Sequence, residues 1–166
     1  MIIADTNILS TFARIGRLDL LFVVSETEIF YLPPSVVKEI KVGLQKGLVF
    51  LQPIVDGLIG RKRFDALDLT AEEKSLGDAM PASLNAGERE CIAVCVKQSG
   101  AKLLTNDKRA RNYCQANRIP CLDLKMVLRR LWQANHCAKE EVRALIEEIE
   151  KGEPGMVIKG KSEIFR

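Results

Sequence analysis

Four acidic side chains stand at positions where a chain of alternating strands and helices could use them for chemistry. Asp5 follows the apolar run Met1-Ile2-Ile3-Ala4, and Asp107 follows Ala101-Lys102-Leu103-Leu104-Thr105-Asn106. Each is a polar residue just past a run that reads as a buried strand, with a helix pattern starting next. If those strands are parallel, both acids reach the carboxyl edge of the sheet, where open α/β folds place their ligand sites. The alternative is that each caps the helix that follows it. Glu88 begins the apolar helix predicted from Gly87 to Gln98. On a helical wheel it shares a face with Ile92 and Cys95, whereas Glu90 falls beside Lys97, so Glu88 points inward and Glu90 toward solvent. An inward carboxylate costs free energy unless something pairs with it. The helix N-terminus offsets part of that cost, and either a cation or further backbone N–H groups would offset the rest. Glu39 stands on the shoulder of the apolar arc Val36, Val37, Ile40 and Leu44, with Lys38 and Lys41 facing away. A surface Glu paired with Lys is the ordinary explanation of such a residue.

Four carboxylates in one cleft cannot all stay ionised without a counter-charge. Hard divalent cations take oxygen ligands, and Mg²⁺ binds through one or two carboxylates plus water and substrate phosphate. An all-carboxylate set without Cys or His therefore points to Mg²⁺ or Mn²⁺ rather than zinc.

The elements that must position these acids follow from the chain in order. After the strand Met1 to Ala4, Asn7 is a plausible N-cap for a helix over Ile8 to Phe12, and Leu18 to Val24 reads as a second helix beyond Gly16. Glu28 to Leu32 is a strand, Pro33-Pro34-Ser35 opens a helix running from Val36 to about Gln45, and Leu48 to Val55 reads as a strand closed by Pro53. Between Asp56 and Asn85 lie the basic patch Arg61-Lys62-Arg63, a possible strand from Asp65 to Leu69, and a helix capped by Thr70 with Glu72 and Glu73 in its first turn. Beyond the strand Ala101 to Thr105 come a helix Lys108 to Ala116, a strand Ile119 to Leu122 and helices Leu124 to Trp132 and Glu140 to Lys151. Strands and helices alternating at this spacing predict βαβ units and a parallel sheet covered on both faces. The predicted organisation is one domain over residues 1–151, with 152–166 a tail whose Gly152, Pro154, Gly155 and Gly160 suit an extended or mobile segment.

Composition narrows the function. The 166 residues suffice for one domain with a real core. Aromatic residues make up only 5%, which argues against a base-stacking platform. A net charge of +3 permits a polyanionic partner without demanding one. The five cysteines, Cys91, Cys95, Cys114, Cys121 and Cys137, are an odd number without Cys-x-x-Cys spacing, so neither a disulfide framework nor a zinc ribbon is expected. A Ser-His-Asp or Cys-His engine would depend entirely on the single histidine, His136, whose favoured reading is a helix C-terminal residue. There is no Gly-x-Gly-x-x-Gly and no P-loop. No apolar run is long enough for a membrane span, and Asp5 comes too early for a signal peptide, so a cytoplasmic location is expected.

Taken together, Ile3-Ala4-Asp5-Thr6-Asn7, Pro34-Ser35-Val36-Val37-Lys38-Glu39, Gly87-Glu88-Arg89-Glu90-Cys91-Ile92-Ala93 and Leu103-Leu104-Thr105-Asn106-Asp107 resemble, in order and spacing, the PIN-domain ribonucleases, including VapC-like toxins of toxin–antitoxin pairs. The resemblance covers Met1 to about Trp132. It implies a three-layer α/β/α fold with a central parallel sheet, an acidic quartet of Asp5, Glu39, Glu88 and Asp107, and Mg²⁺- or Mn²⁺-dependent cleavage of RNA. Thr6, Asn7 and Thr105 would be supporting polar groups. The compact toxins lack a counterpart of Asp56 to Asn85 and of the tail, so the chain looks closer to the solitary PIN proteins. An antitoxin partner and a homodimer are further implications. The expected mechanism is hydrolysis in which Asp5 and Asp107 anchor one cation while Glu39 and Glu88 hold a second or position the attacking water. Lys108, Arg109 and Arg111 would meet flanking phosphates, or else form a solvated helix face. The rival from another class is a non-catalytic PIN-like module that binds RNA or a protein.

Overall fold

The computed structural model describes residues 1–60 and 62–166, so Arg61 of the basic patch lies outside the described residues. Its strands are β1 (Ile2–Ala4), β2 (Phe30–Leu32), β3 (Phe64–Ala66), β4 (Lys102–Leu104) and β5 (Cys121–Leu122). Its helices are α1 (Thr6–Arg14), α2 (Leu18–Ser25), α3 (Pro34–Gln45), α4 (Gln52–Ile59), α5 (Ala71–Asp78), α6 (Ala86–Lys97), α7 (Lys108–Ala116), α8 (Leu124–Gln133), α9 (Lys139–Gly152) and α10 (Lys161–Ile164).

All four strand pairings are parallel, in the spatial order β3-β2-β1-β4-β5. Short strands suffice because the inner strands β1 and β4 are buried on both faces: Ile3, Ala4, Leu103 and Leu104 are inaccessible to solvent, as are Phe30 and Leu32 of β2. The helices pack as two sets, α1, α2, α8 and α9 together and α3, α5 and α6 together, with α6 lying against β1 and β4. The result is the three-layer α/β/α arrangement with a central parallel sheet. After β1 the chain builds outward through β2 and β3, then returns to add β4 and β5 on the other side. The strand order therefore reverses between β1 and β4, and the carboxyl ends of those two strands form the switch point at which open α/β sheets place their ligand sites. Among the described residues no helix is long and apolar enough to cross a membrane.

Several expectations are corrected. Leu48 to Val55 is not a strand: Val49–Leu51 forms a 3-10 turn that runs into α4. Pro53 sits in the first turn of α4, where its missing N–H costs nothing. Leu51 and Ile54, three residues apart, are buried while Val49 is 73% exposed, which is helical rather than alternating burial. α1 starts at Thr6, so Asp5 and not Asn7 holds the N-cap position, and Asn7 is exposed on the helix. The third strand occupies Phe64–Ala66 rather than Asp65 to Leu69. The tail is packed, not extended. Ile158 and Ile164 are buried, Trp132 Nε1 donates to the Ile164 carbonyl at 2.7 Å, and the Ile158 N–H donates to Glu150 Oε1 at 2.8 Å.

Candidate active site

β1 and β4 deliver the first two acids to the crevice. In register, Ile2, Ile3 and Ala4 stand beside Lys102, Leu103 and Leu104, and the Asp5 N–H extends the ladder by donating to the Leu104 carbonyl at 3.0 Å. Asp5 and Thr105 thus leave their strands side by side, both buried. The Thr105 hydroxyl donates to Asp5 Oδ2 at 2.8 Å and accepts the Asp107 N–H at 3.1 Å, so one side chain sets the positions of both aspartates. The capping alternative separates the two. Asp107 caps α7, its Oδ1 accepting from the N–H groups of Arg109 and Ala110 at 2.7 and 3.1 Å, whereas Asp5 makes no capping hydrogen bond.

The two glutamates arrive on helices. Glu88 is only 2% exposed, as its wheel position predicts. It is also the third residue of a capping box. Asn85 Oδ1 accepts the Glu88 N–H at 2.8 Å, while the Glu88 carboxylate accepts the Asn85 N–H at 3.1 Å and Asn85 Nδ2 at 3.0 Å. Hydrogen bonding to the backbone, the other reading of this residue, is therefore part of how it is buried. Glu39 lies on the exposed side of α3 and is held by the Thr6 hydroxyl, which donates to its Oε2 at 2.6 Å. Gly87 brings α6 close to this pair, since a Cβ there would stand 3.3 Å from both Glu39 Oε1 and Val36 Cγ2. Gly87 and Asn85 are the site residues that sequence reasoning passed over. The Asn-x-x-Glu spacing of a capping box was the available signal for Asn85; the role of Gly87 depends on a neighbouring helix.

Glu90 is the corrected expectation here. It is half-buried rather than solvated, and its carboxylate accepts the Ser35 N–H at 2.7 Å and the Ser35 hydroxyl at 2.6 Å. The free N–H groups at the start of α3 attract it, an attraction that a wheel of α6 alone does not contain.

The charge balance of the crevice is negative. Burial is the main cause that raises the Asp5 carboxyl from 3.8 to about 6; the Thr105 bond opposes it, and the charges of Glu88 and Glu39 add to it. Burial likewise raises Glu88 above the usual carboxylate range, with Asp107 and Glu39 contributing and the Asn85 bond and Arg109 opposing. The half-exposed Arg109 guanidinium is the nearby cation, 3.9 Å from Glu88 Oε1 and 3.7 Å from Asp107 Oδ1. Lys108 is exposed beside it, and Arg111 turns away to pair with Asp123 at 2.7 Å. Asn7, the remaining supporting residue expected here, makes no side-chain hydrogen bond among the described residues.

Among the described residues no three Asp, Glu, His or Cys side chains close up into a ready-made ligand cluster. The donor set still fits Mg²⁺ or Mn²⁺, which need few protein ligands and keep several waters. Its oxygens are hard and Asp5 is desolvated without a cation of its own, while the thiol placed close by, that of buried Cys91, is engaged with the Ala4 carbonyl at 3.9 Å and is held in its neutral form by burial.

A family model described as a PIN domain matches residues 1–159. No curated protein matches the chain.

Proposed function

The chain belongs to the PIN-domain family, a nuclease-type fold, and from that premise we propose that it is a divalent-metal-dependent endoribonuclease that hydrolyses RNA phosphodiester bonds. The observation that carries this reading is Asp5: a buried carboxylate at the point where the strand order reverses, raised to about 6 by its burial and further by the charges of Glu88 and Glu39. Bound Mg²⁺ or Mn²⁺ would polarise the scissile phosphate and supply an activated water. Asp5 and Asp107 would hold the ion, with Glu39 and Glu88 lining the facing wall. The chain's own hydrogen bonds do the positioning. Thr105 ties Asp5 to Asp107, Thr6 orients Glu39 and Asn85 orients Glu88. Arg109, more than half exposed, is free to turn from the acids to an RNA phosphate.

The direct test is Mn²⁺-dependent cleavage of single-stranded RNA by the wild type and by Asp5→Asn. Cleavage by the wild type alone supports the reading, and equal activity in both overturns it.

A second reading is favoured by the open ligand set and by the seat of Arg109 on two of the acids. It is a non-catalytic module that binds RNA or a protein. Manganese titration separates the two, because the nuclease reading requires binding that Asp5→Asn weakens. Service as the toxin of a toxin–antitoxin pair is a narrower form of the first reading, with an antitoxin protein, a homodimer and a cytoplasmic location as its companions. A small upstream reading frame of DNA-binding pattern beside the gene would support it.

A further inference from the structure

A cavity of about 410 Å³ lies where the starts of α7 and α8 meet the tail segment before α10. Its lining includes Asn106, Lys108, Arg111, Lys125, Ile158 and Lys159, with four cationic residues in all and neither an acid nor an aromatic ring. Asn106 immediately precedes Asp107, so the cavity opens from the same loop that carries an acid of the crevice.

The tail is seated closely against this wall. Gly160 takes φ +67°, and a Cβ there would stand 2.9 Å from Lys125 Nζ. Two of the four cations are anchored from behind, Arg111 by Asp123 at 2.7 Å and Lys125 by Glu163 at 3.0 Å. Arg111 Nε is buried and finds no acceptor among the described residues. Lys108 and Lys159 are exposed and form no ion pair among the described residues. Anchored and free cations therefore line one groove next to a crevice that repels anions. A polyanion reaching the acids would need such a counterweight for the charges on either side of the reacting phosphate.

We propose that this groove is a backbone subsite for single-stranded RNA, in which Lys108, Arg111, Lys125 and Lys159 hold the phosphates adjoining the one at the acids. The proposal rests on the ribonuclease reading and makes the tail part of the substrate-binding surface. Lacking a ring on which a base could stack, the groove holds the strand through its phosphates without reading sequence.

Fluorescence-anisotropy binding of an oligouridylate in EDTA across a salt series, with cleavage in Mn²⁺ measured alongside, tests this. The proteins compared are the wild type, Lys108→Glu, Lys159→Glu and the charge-matched Lys102→Glu, whose exposed residue starts β4 at the opposite edge of the sheet. Each groove variant is expected to weaken binding about tenfold, to reduce the slope of log affinity against log salt by about 0.7, and to raise KM. Lys102→Glu should change none of these. Groove variants with wild-type affinity and salt slope overturn the groove while leaving the ribonuclease reading standing, and an equal loss in Lys102→Glu also overturns it. A wild type that neither binds nor cuts the oligouridylate overturns both.

Discussion

Two capping boxes in this chain are built alike and end differently. Thr70 and Glu73 open α5, Asn85 and Glu88 open α6, and in each the glutamate accepts the N–H of the capping residue three positions back. Both glutamates are almost fully buried, at 3% and 2% exposure. Burial pushes Glu73 up, but hydrogen bonds from Gln98 and Thr70 and the charge of Lys97 outweigh it, and the carboxyl lies below its ordinary range. Glu88 has the same kind of cap, but there burial is not outweighed: the Asn85 bond and Arg109 pull the carboxyl down, Asp107 and Glu39 add to the rise, and it lies above that range. The cap accounts for the helix start and for the burial of each acid. What faces the acid then decides on which side of the ordinary range its carboxyl ends.

The largest effect that would sharpen this contrast is expected at Asp5. Asp5→Asn should lower Mn²⁺-dependent cleavage at least about a hundredfold, and in EDTA it should also stabilise the protein. Because the folded-state value of about 6 exceeds the ordinary 3.8, the folded protein binds this proton more tightly than the unfolded chain, and stability falls as pH rises between those values. Above pH 6 the cost is fully present, about 3 kcal/mol at most. Urea unfolding in EDTA at pH 8 should therefore show Asp5→Asn more stable than the wild type by about 2 kcal/mol, with the gap closing below pH 4. A variant less stable at pH 8 would break the contrast at its centre.

The two capping glutamates come next. Glu73→Gln should cost about 1–2 kcal/mol near neutral pH, since an ionised acceptor with three stabilising neighbours is lost, and should leave cleavage unaltered. Its lowered carboxyl makes that contribution present at neutral pH and lost on acidification. Glu88→Gln should do the reverse, lowering cleavage at least about tenfold with stability in EDTA unchanged or improved. Urea titrations and initial rates on the pair decide the matter; a swapped result would erase the distinction.

A smaller effect is expected at Gly87. The Cβ of Gly87→Ala must press on Glu39 or Val36, loosening the Thr6 bond and lowering cleavage a few-fold at a cost of about 1 kcal/mol. Melting curves and KM against kcat for this variant measure both. The smallest is Arg109→Ala, which removes a half-exposed counter-charge. Manganese affinity by calorimetry should rise about two- to threefold, while KM for RNA also rises.

How much was legible in the sequence varied with the range of the interactions involved. Asp5 and Asp107 could be placed because a strand end is announced by its own apolar run. Glu88 could be turned inward because helical periodicity is local. α4 was misread as a strand because Pro53 looks the same at a strand end as in a first helical turn, and only the paired burial of Leu51 and Ile54 separates the two. The tail was misread because Ile158 and Ile164 are isolated apolar residues among glycines and lysines, with no period to declare them.

The sequence by itself determined the alternation of strands and helices outside Leu48 to Val55 and the family resemblance, and it offered the four acids as candidates, since each depends on spacing along the chain. Only the tertiary structure decided which acids are short of positive charge. Glu90 looked solvated until Ser35 was seen to hold it, and Thr105 joins two aspartates that are 102 residues apart in the chain. Electrostatic energy depends on distance and on exclusion of water, and neither exists until the sheet brings the ends of β1 and β4 side by side.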